Sequence, residues 1–420
     1  MVDSPRSINR ILLALCCCTT AGALNFLAMT PFYPEMSSDL GVSVSVVGQI
    51  VTFMVLLSAF LGLVLGPVVD RYGFRRPLVL GLCCVAINLI GAGLAPTFPV
   101  MLGLSLIGGL GDALVFGIPF AVAGTLFAER ERKRAFSWLT GAMSLGAIIG
   151  IPLLTVIGSV TSWRLALIVC GAAVTGAAVF TASALPRDRR LVERQWSFRM
   201  IREAYEPLLH HSPTIRLLSA TAIRSVCWLG FLTYMGAFLH DEQGLSTREI
   251  GLVYTVGATG FAIGCSLSGR FIGASKTRVA VGVGCVVTAL ATVAIVNATS
   301  AWLAVAMITI LAMASSVVAI GVTFLISTES PAEQGTTMLL NGSVINFGTA
   351  AGAALGGGLI ALDGYRALGL GLSIFALVGA GLVLWPQRKS LEVLDLPTSS
   401  ESMLEPPVLP AAEPKTGAPI

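Results

Sequence analysis

Asp112 and Arg224 lie deep inside apolar stretches, "LIGGLGDALVFG" (106–117) and "TAIRSVCWLG" (221–230). Either charge at the centre of a membrane helix costs about 2.5–3.5 kcal/mol even on a lenient insertion scale. Residues kept at that cost face a wet cavity or a partner. The carboxyl of Asp112 can take up and release a proton, and the guanidinium of Arg224 can hold an anionic group. The two can also pair, either in one conformation only or as a permanent ion pair that fixes helix packing. Asn25 is the one strongly polar side chain of the first apolar run, and Ser315, Ser316 and Thr323 add milder groups further on. Asn88, Asn341 and Asn346 are further amides within apolar runs.

Other chemistry is not expected. The chain offers no nucleophile–base pair, metal cluster or phosphate loop, so it does not read as an enzyme and calls for no resident metal or cofactor. All nine cysteines fall inside apolar runs without a C-x-x-C pair, which suits small core- or lipid-facing thiols. His210 and His211 form an isolated loop pair.

The elements that carry these residues follow from composition. Hydrophobic residues make up 55% of the 420 and charged residues 11%, where a soluble domain carries about a quarter charged. Runs long enough to cross a bilayer, about 20 residues, occur near 11–33, 45–67, 77–95, 98–123, 136–160, 164–186, 215–239, 250–272, 277–297, 301–327, 336–361 and 366–386. The expected fold is an all-α integral membrane protein of twelve transmembrane helices, with no separate soluble domain. The first run follows Arg6 and Arg10 as a signal peptide would, but it is too long for one and no A-x-A site follows. The longest connection, 187–214, divides the helices six and six. Residues 1–190 form one bundle, 191–214 a cytoplasmic linker and 215–390 a second bundle. Residues 391–420, rich in Pro, Glu and Ser, form a disordered tail.

Charge orients the bundle. With the N-terminus inside, 22 of the 26 Lys and Arg residues fall on cytoplasmic segments and only Arg164, Arg248 and Arg366 on outer loops. Basic residues beside short loops stay cytoplasmic, so both termini are expected inside a plasma membrane, the inner membrane in a bacterium.

The stretch "GPVVDRYGFRRP" (66–77) concentrates Asp70, Arg71, Arg75 and Arg76 between two apolar runs, in the loop joining helices 2 and 3. Here the sequence resembles the major facilitator superfamily, whose signature in this loop is G-x-x-x-D-R-x-G-R-R. Gly66, Asp70, Arg71 and Gly73 match, Arg75 takes the second basic position, and Arg76 is an additional charge. "LNFLAMTPFYP" (24–34) is similar to the end of helix 1 in the drug:proton antiporter branch, with Asn25 in place of a glycine. Gly141, Gly146, Gly150 and Pro152 resemble that branch's helix-5 packing motif, with the proline one residue late. "NFGTAAGAALGGG" (346–358) and "SWR" (162–164) are similar to sugar-efflux and arabinose-efflux-like members. The branch's helix-4 arginine and helix-1 acid are missing, and Ser105 lies near the former. The second half's counterpart of the loop motif keeps Arg270 but has Gly269 for the aspartate.

The resemblance implies two pseudo-symmetric six-helix bundles with helices 1, 4, 7 and 10 lining a central cavity. It also implies a monomeric secondary transporter with a midplane site, working by alternating access. Its partners are then a small-molecule substrate, protons and the lipid bilayer, with no nucleic acid, and the proton gradient is its energy source. Asp112 is the expected proton-coupling residue. Asn25, Arg224, Ser315, Ser316, Thr323 and Asn346 are the expected substrate contacts. Gly66, Asp70, Arg71, Gly73, Arg75 and Arg76 are expected to act as a conformational latch. Proton-coupled efflux is the leading expectation. An organic-anion importer or facilitator is the alternative that Arg224 suggests, and a transport-inactive receptor or scaffold is the alternative from another class.

Overall fold

A computed structural model describes residues 5–72, 74–127, 129–186, 206, 208, 210–271, 276–331 and 334–385. Among them the regular structure is helical. Helix α1, Pro5–Leu27, leads through a 3-10 turn at Thr30–Phe32 into two short helices, Tyr33–Leu40 and Val44–Val47. Pro31 and Pro34 lack the N–H that would continue α1, so the chain turns along the bundle end. Helices α2 (Gln49–Tyr72), α3 (Arg75–Leu94), α4 (Phe98–Leu126) and α6 (Trp163–Ala184) follow, with α5 between the last two. That helix runs as Glu129–Leu145, a π-helical turn at Gly146–Gly150, and Ile151–Val160.

The second half comprises α7 (Ser212–Asp241), α8 (Thr247–Phe271), α9 (Thr277–Val296) and α10 (Ala301–Glu329), then the helical stretch Gln334–Leu384. At about 1.5 Å per residue its 51 residues reach far beyond one bilayer crossing. Non-helical backbone at Asp363 and at Gly364, whose φ is 69°, breaks it into α11 (334–362) and α12 (365–384). A side chain is strained at that φ, which is why glycine makes the reversal. Twelve spanning segments result among the described residues, at the positions the apolar runs foretell. The linker and tail expected from the sequence fall almost wholly outside the described residues.

Large apolar side chains cover the outside, among them Trp302 at 85% exposure and Leu362 at 83%. Lipid, unlike water, accepts such a surface. Trp302 and Trp385 stand at helix ends and Trp138 at the start of the apolar span of α5, where indoles meet the membrane interface. Within the first half α2 packs on α4 and α3 on α6, and the second half repeats this with α8 on α10 and α9 on α12. The halves meet along α2–α11 and α5–α8.

Small residues set the closest approaches. A Cβ on Gly348 or Gly352 of α11 would stand 2.2 Å from the carbonyl oxygen of Ala222 or 2.4 Å from that of Val226, both on α7. In α5, a Cβ on Gly146 or Gly150 would press on Thr20 or Leu24 of α1, whereas Gly141 has open space beside it. These glycines thus draw helices together within each half rather than between halves. Pro152 gives no N–H to the carbonyl of Ile148, and Thr255 of α8 donates to that oxygen at 3.1 Å across the halves. The residues "SWR" tie loops together. Ser162 caps α6, Trp163 donates to Asp39 at 2.9 Å, and Arg164 donates to the carbonyl of Ala95 at 2.6 Å.

Candidate functional site

A cavity of about 250 Å³ lies between the halves, bounded by α1, α2, α4, α5, α7, α8, α10 and α11. Its wall is mostly apolar, with Phe26, Phe116, Trp228 and Phe261 offering flat surfaces and Met143 and Met235 deformable ones. Its polar points are few: Asp112, Ser144, Tyr254, Asn346 and Thr349. No Lys or Arg stands on the described wall.

Asp112 is 5% exposed and is connected to the opposite half through Ser58. Asn346 Nδ2 on α11 donates to Ser58 Oγ on α2 at 3.1 Å. Ser58 Oγ in turn donates to Asp112 Oδ2 on α4 at 2.8 Å. The chain of donors ends on the carboxylate, so gain or loss of a proton there changes what Ser58 can offer Asn346. Two residues on from Ser58 and one on from Asn346, Phe60 and Phe347 pack edge to face at 5.0 Å across the same seam.

The other expected contacts disperse. Asn25 is buried at 1% exposure and works inside the first half. It accepts from Asn88 Nδ2 at 2.9 Å and donates to the carbonyl of Gly108 at 3.2 Å. Gly22, Ala23, Phe26 and Leu27 form the cavity face of α1, and at 100° per residue Asn25 falls behind it. Ser316 bonds to the carbonyl of Met313 at 2.8 Å and packs on Gly264 of α8. Thr323, further along α10 and half-buried, is likewise off the wall, where α10 contributes Ile308. Asn346 alone of the six expected contacts lines the cavity.

Arg224 does not meet Asp112. It lines a separate pocket of about 10 Å³ within the second half, together with Trp228, Cys285, Thr288, Ser315, Val318 and Ala376. Trp228 borders both spaces, stacked on Phe261 at 6.2 Å, and stands as the wall between them.

Sequence reasoning missed the closure on the bundle face away from the chain termini. Tyr254 Oη on α8 donates to Thr30 Oγ1 at 2.9 Å, and Thr247 donates to Glu35. Tyr234 Oη on α7 donates to the carbonyl of Ala353 at 2.8 Å, and its ring meets Tyr33 edge-on at 6.4 Å. Gly48 permits this, because a Cβ there would overlap the Tyr234 ring. The available signal was "TPFYP" (30–34), whose prolines turn Thr30, Phe32 and Tyr33 inward. On the other face, Arg75 and Arg76 form the first turn of α3. Gly66, Asp70 and Arg71, expected in the connecting loop, continue α2 to Tyr72, their side chains lying outside what is described, and Gly73 lies outside the described residues.

The chain matches the family model described as Major Facilitator Superfamily over residues 15–339. It is 24% identical over 266 residues to a chloramphenicol resistance protein of Streptomyces lividans, covering 62% of this chain and 65% of that one. It is 26% identical over 230 residues to a chloramphenicol efflux pump of Mycobacterium tuberculosis, covering 54% of each. The chain thus spans between about half and two thirds of these relatives' length. In fold it is similar to the crystal structure of the nucleoside transporter NupG, with a TM-score of 0.75 and 14% identity over 89% of this chain and 98% of that one.

Proposed function

Because the chain belongs to the major facilitator superfamily, we propose that it is a secondary transporter that exports a small organic molecule by alternating access in exchange for protons. The observation that carries this reading is the Asn346–Ser58–Asp112 chain beside the central cavity. A proton arriving at Asp112 neutralises it and alters the contact that links α4 to α11, so proton uptake and rearrangement of the halves are one event. Relatives named for chloramphenicol resistance and efflux support export over import.

The wall favours uncharged or cationic aromatic compounds. It supplies aromatic faces and one carboxyl but no fixed cation among its described residues. The organic-anion alternative rests on Arg224, which stands behind Trp228. The closure around Tyr234 and Tyr254 serves as the gate on one face, and the Gly66–Arg76 segment joining α2 to α3 as the latch on the other. Arginine-rich connections on the latch side support a cytoplasmic location for both termini in a plasma membrane, with the monomer as the working unit.

The test is flux in proteoliposomes under an imposed pH gradient, with chloramphenicol as first probe and substrates of differing charge after it. Substrate movement that follows the gradient supports the reading. Flux indifferent to the gradient overturns proton coupling, and no flux for any probe favours the receptor or scaffold alternative.

A further inference from the structure

The face away from the chain termini closes on two tyrosine hydroxyls, and each has an acceptor in both halves. Tyr254 Oη on α8 donates to Thr30 Oγ1 of the first half at 2.9 Å, and the carbonyl oxygen of Leu232, on α7 of its own half, lies 3.4 Å from the same hydroxyl. Tyr234 Oη is placed the other way round. It donates to the carbonyl of Ala353 in its own half at 2.8 Å, with the carbonyl of Ser45 in the first half 3.5 Å away. Gly236 lets the first half come this close, because a Cβ there would stand 2.6 Å from the carbonyl oxygen of Thr30.

Tyr254 and Thr30 are both buried. A buried hydroxyl that loses its acceptor is left with its desolvation uncompensated. Parting the halves takes Thr30 away from Tyr254 but not Leu232, which belongs to the same half as Tyr254. The carbonyl of Leu232, although within a helix, keeps a second lone pair for the hydroxyl. The bond can therefore be handed over rather than broken. Tyr254 also lines the central cavity beside Leu27, Leu232 and Met235, so a molecule held there touches the residue whose bond is exchanged.

We propose that the Tyr254 hydroxyl is a two-position switch in the gate, bonded to Thr30 while this face is closed and to the Leu232 carbonyl once it opens. The switch lowers the cost of opening and joins the gate to the contents of the cavity. It rests on the reading of the chain as an alternating-access transporter.

Hydrogen–deuterium exchange of the full-length protein in detergent, without substrate or pH gradient, reads the two faces separately. Residues 33–48 and 236–247 report on the gate face, and 115–126 and 318–329 on the opposite one. Thr30→Val removes the acceptor of the closed state alone. Exchange at the gate face should rise about fivefold, the worth of one neutral hydrogen bond, and fall at the opposite face. Tyr254→Phe removes the bond from both states, so either face should change by less than about twofold. The double variant should return to the level of Tyr254→Phe. If Thr30→Val does not fold, Thr30→Ala puts the same question. Unchanged exchange in the Thr30 variant overturns the switch, and so do equal rises in both single variants, which would make the bond a fixed strut. A rise that persists in the double variant would belong to the bond from Thr30 to the Leu27 carbonyl, at 2.9 Å, and also overturns it. A rise without a fall at the opposite face would be local loosening and overturns it too. Export and proton coupling are judged by the flux assay, so failure of that reading and failure of the switch are told apart.

Discussion

The two halves each carry one charge-bearing residue inside the membrane, and they accommodate it in opposite ways. In the first half Asp112 opens on the shared cavity and is tied by Ser58 and Asn346 to the other half. In the second, Arg224 lines a separate small space within that half, bordered by Trp228, and is not on the cavity wall. A group whose charge changes must face water, substrate and the moving interface. A group whose charge is permanent has no such need. The asymmetry therefore separates a group able to take part in the transport cycle from one that supports the scaffold.

The most severe test of that contrast is Asp112→Asn. Gradient-driven movement in proteoliposomes should fall to background while exchange of substrate at equal pH survives; retained gradient-driven movement would place coupling elsewhere. Trp228→Ala should come next in size. Removing the wall joins Arg224 to the cavity, so binding of organic anions, measured by titration, should gain while planar uncharged substrates lose a stacking surface. No gain for anions would mean that Trp228 is not the partition.

Asn346→Ala leaves Asp112 and Ser58 in place but removes the donor from the opposite half. Turnover should slow about tenfold, the worth of one charge-linked hydrogen bond, with substrate affinity little changed. An unaltered rate would reduce the cross-half chain to a packing detail. Asn25→Ala should cost about 1–3 kcal/mol of stability by orphaning Asn88, read as a lowered melting temperature, with no change in substrate affinity. The smallest effect belongs to Arg224→Gln, which should leave the affinity for uncharged substrates within about twofold, less than half a kcal/mol. A loss matching that of Asp112→Asn would put Arg224 back in the transport cycle.

Much of this was legible before any coordinates. Apolar runs of about 20 residues announce helices because every backbone polar group must be satisfied within a spanning segment. Asp112 and Arg224 declared themselves by the cost of burying charge. Asn25 misled for a simple reason: depth in a span says that a polar group needs a partner, not which way it faces. Asn25 finds its partners in Asn88 and Gly108, behind the cavity face of α1. The glycines of α5 and α11 were recognisable as packing residues, yet only their neighbours, Thr20 and Leu24 or Ala222 and Val226, reveal that they close each half on itself.

Sequence by itself determined the twelve helices, their division into six and six, and Asp112 and Arg224 as the acid and base deep in membrane-spanning segments. These rest on local quantities, namely hydropathy over a bilayer's width and the energy of a single charge. Tertiary structure alone decided that Asp112 shares a chain with Ser58 and Asn346, 54 and 234 positions away. It also decided that Trp228 walls off Arg224 and that Tyr234 and Tyr254 close one end. Those facts depend on how each helix is rotated about its own axis. That rotation is set by the packing of all its neighbours at once, which no single stretch of sequence encodes.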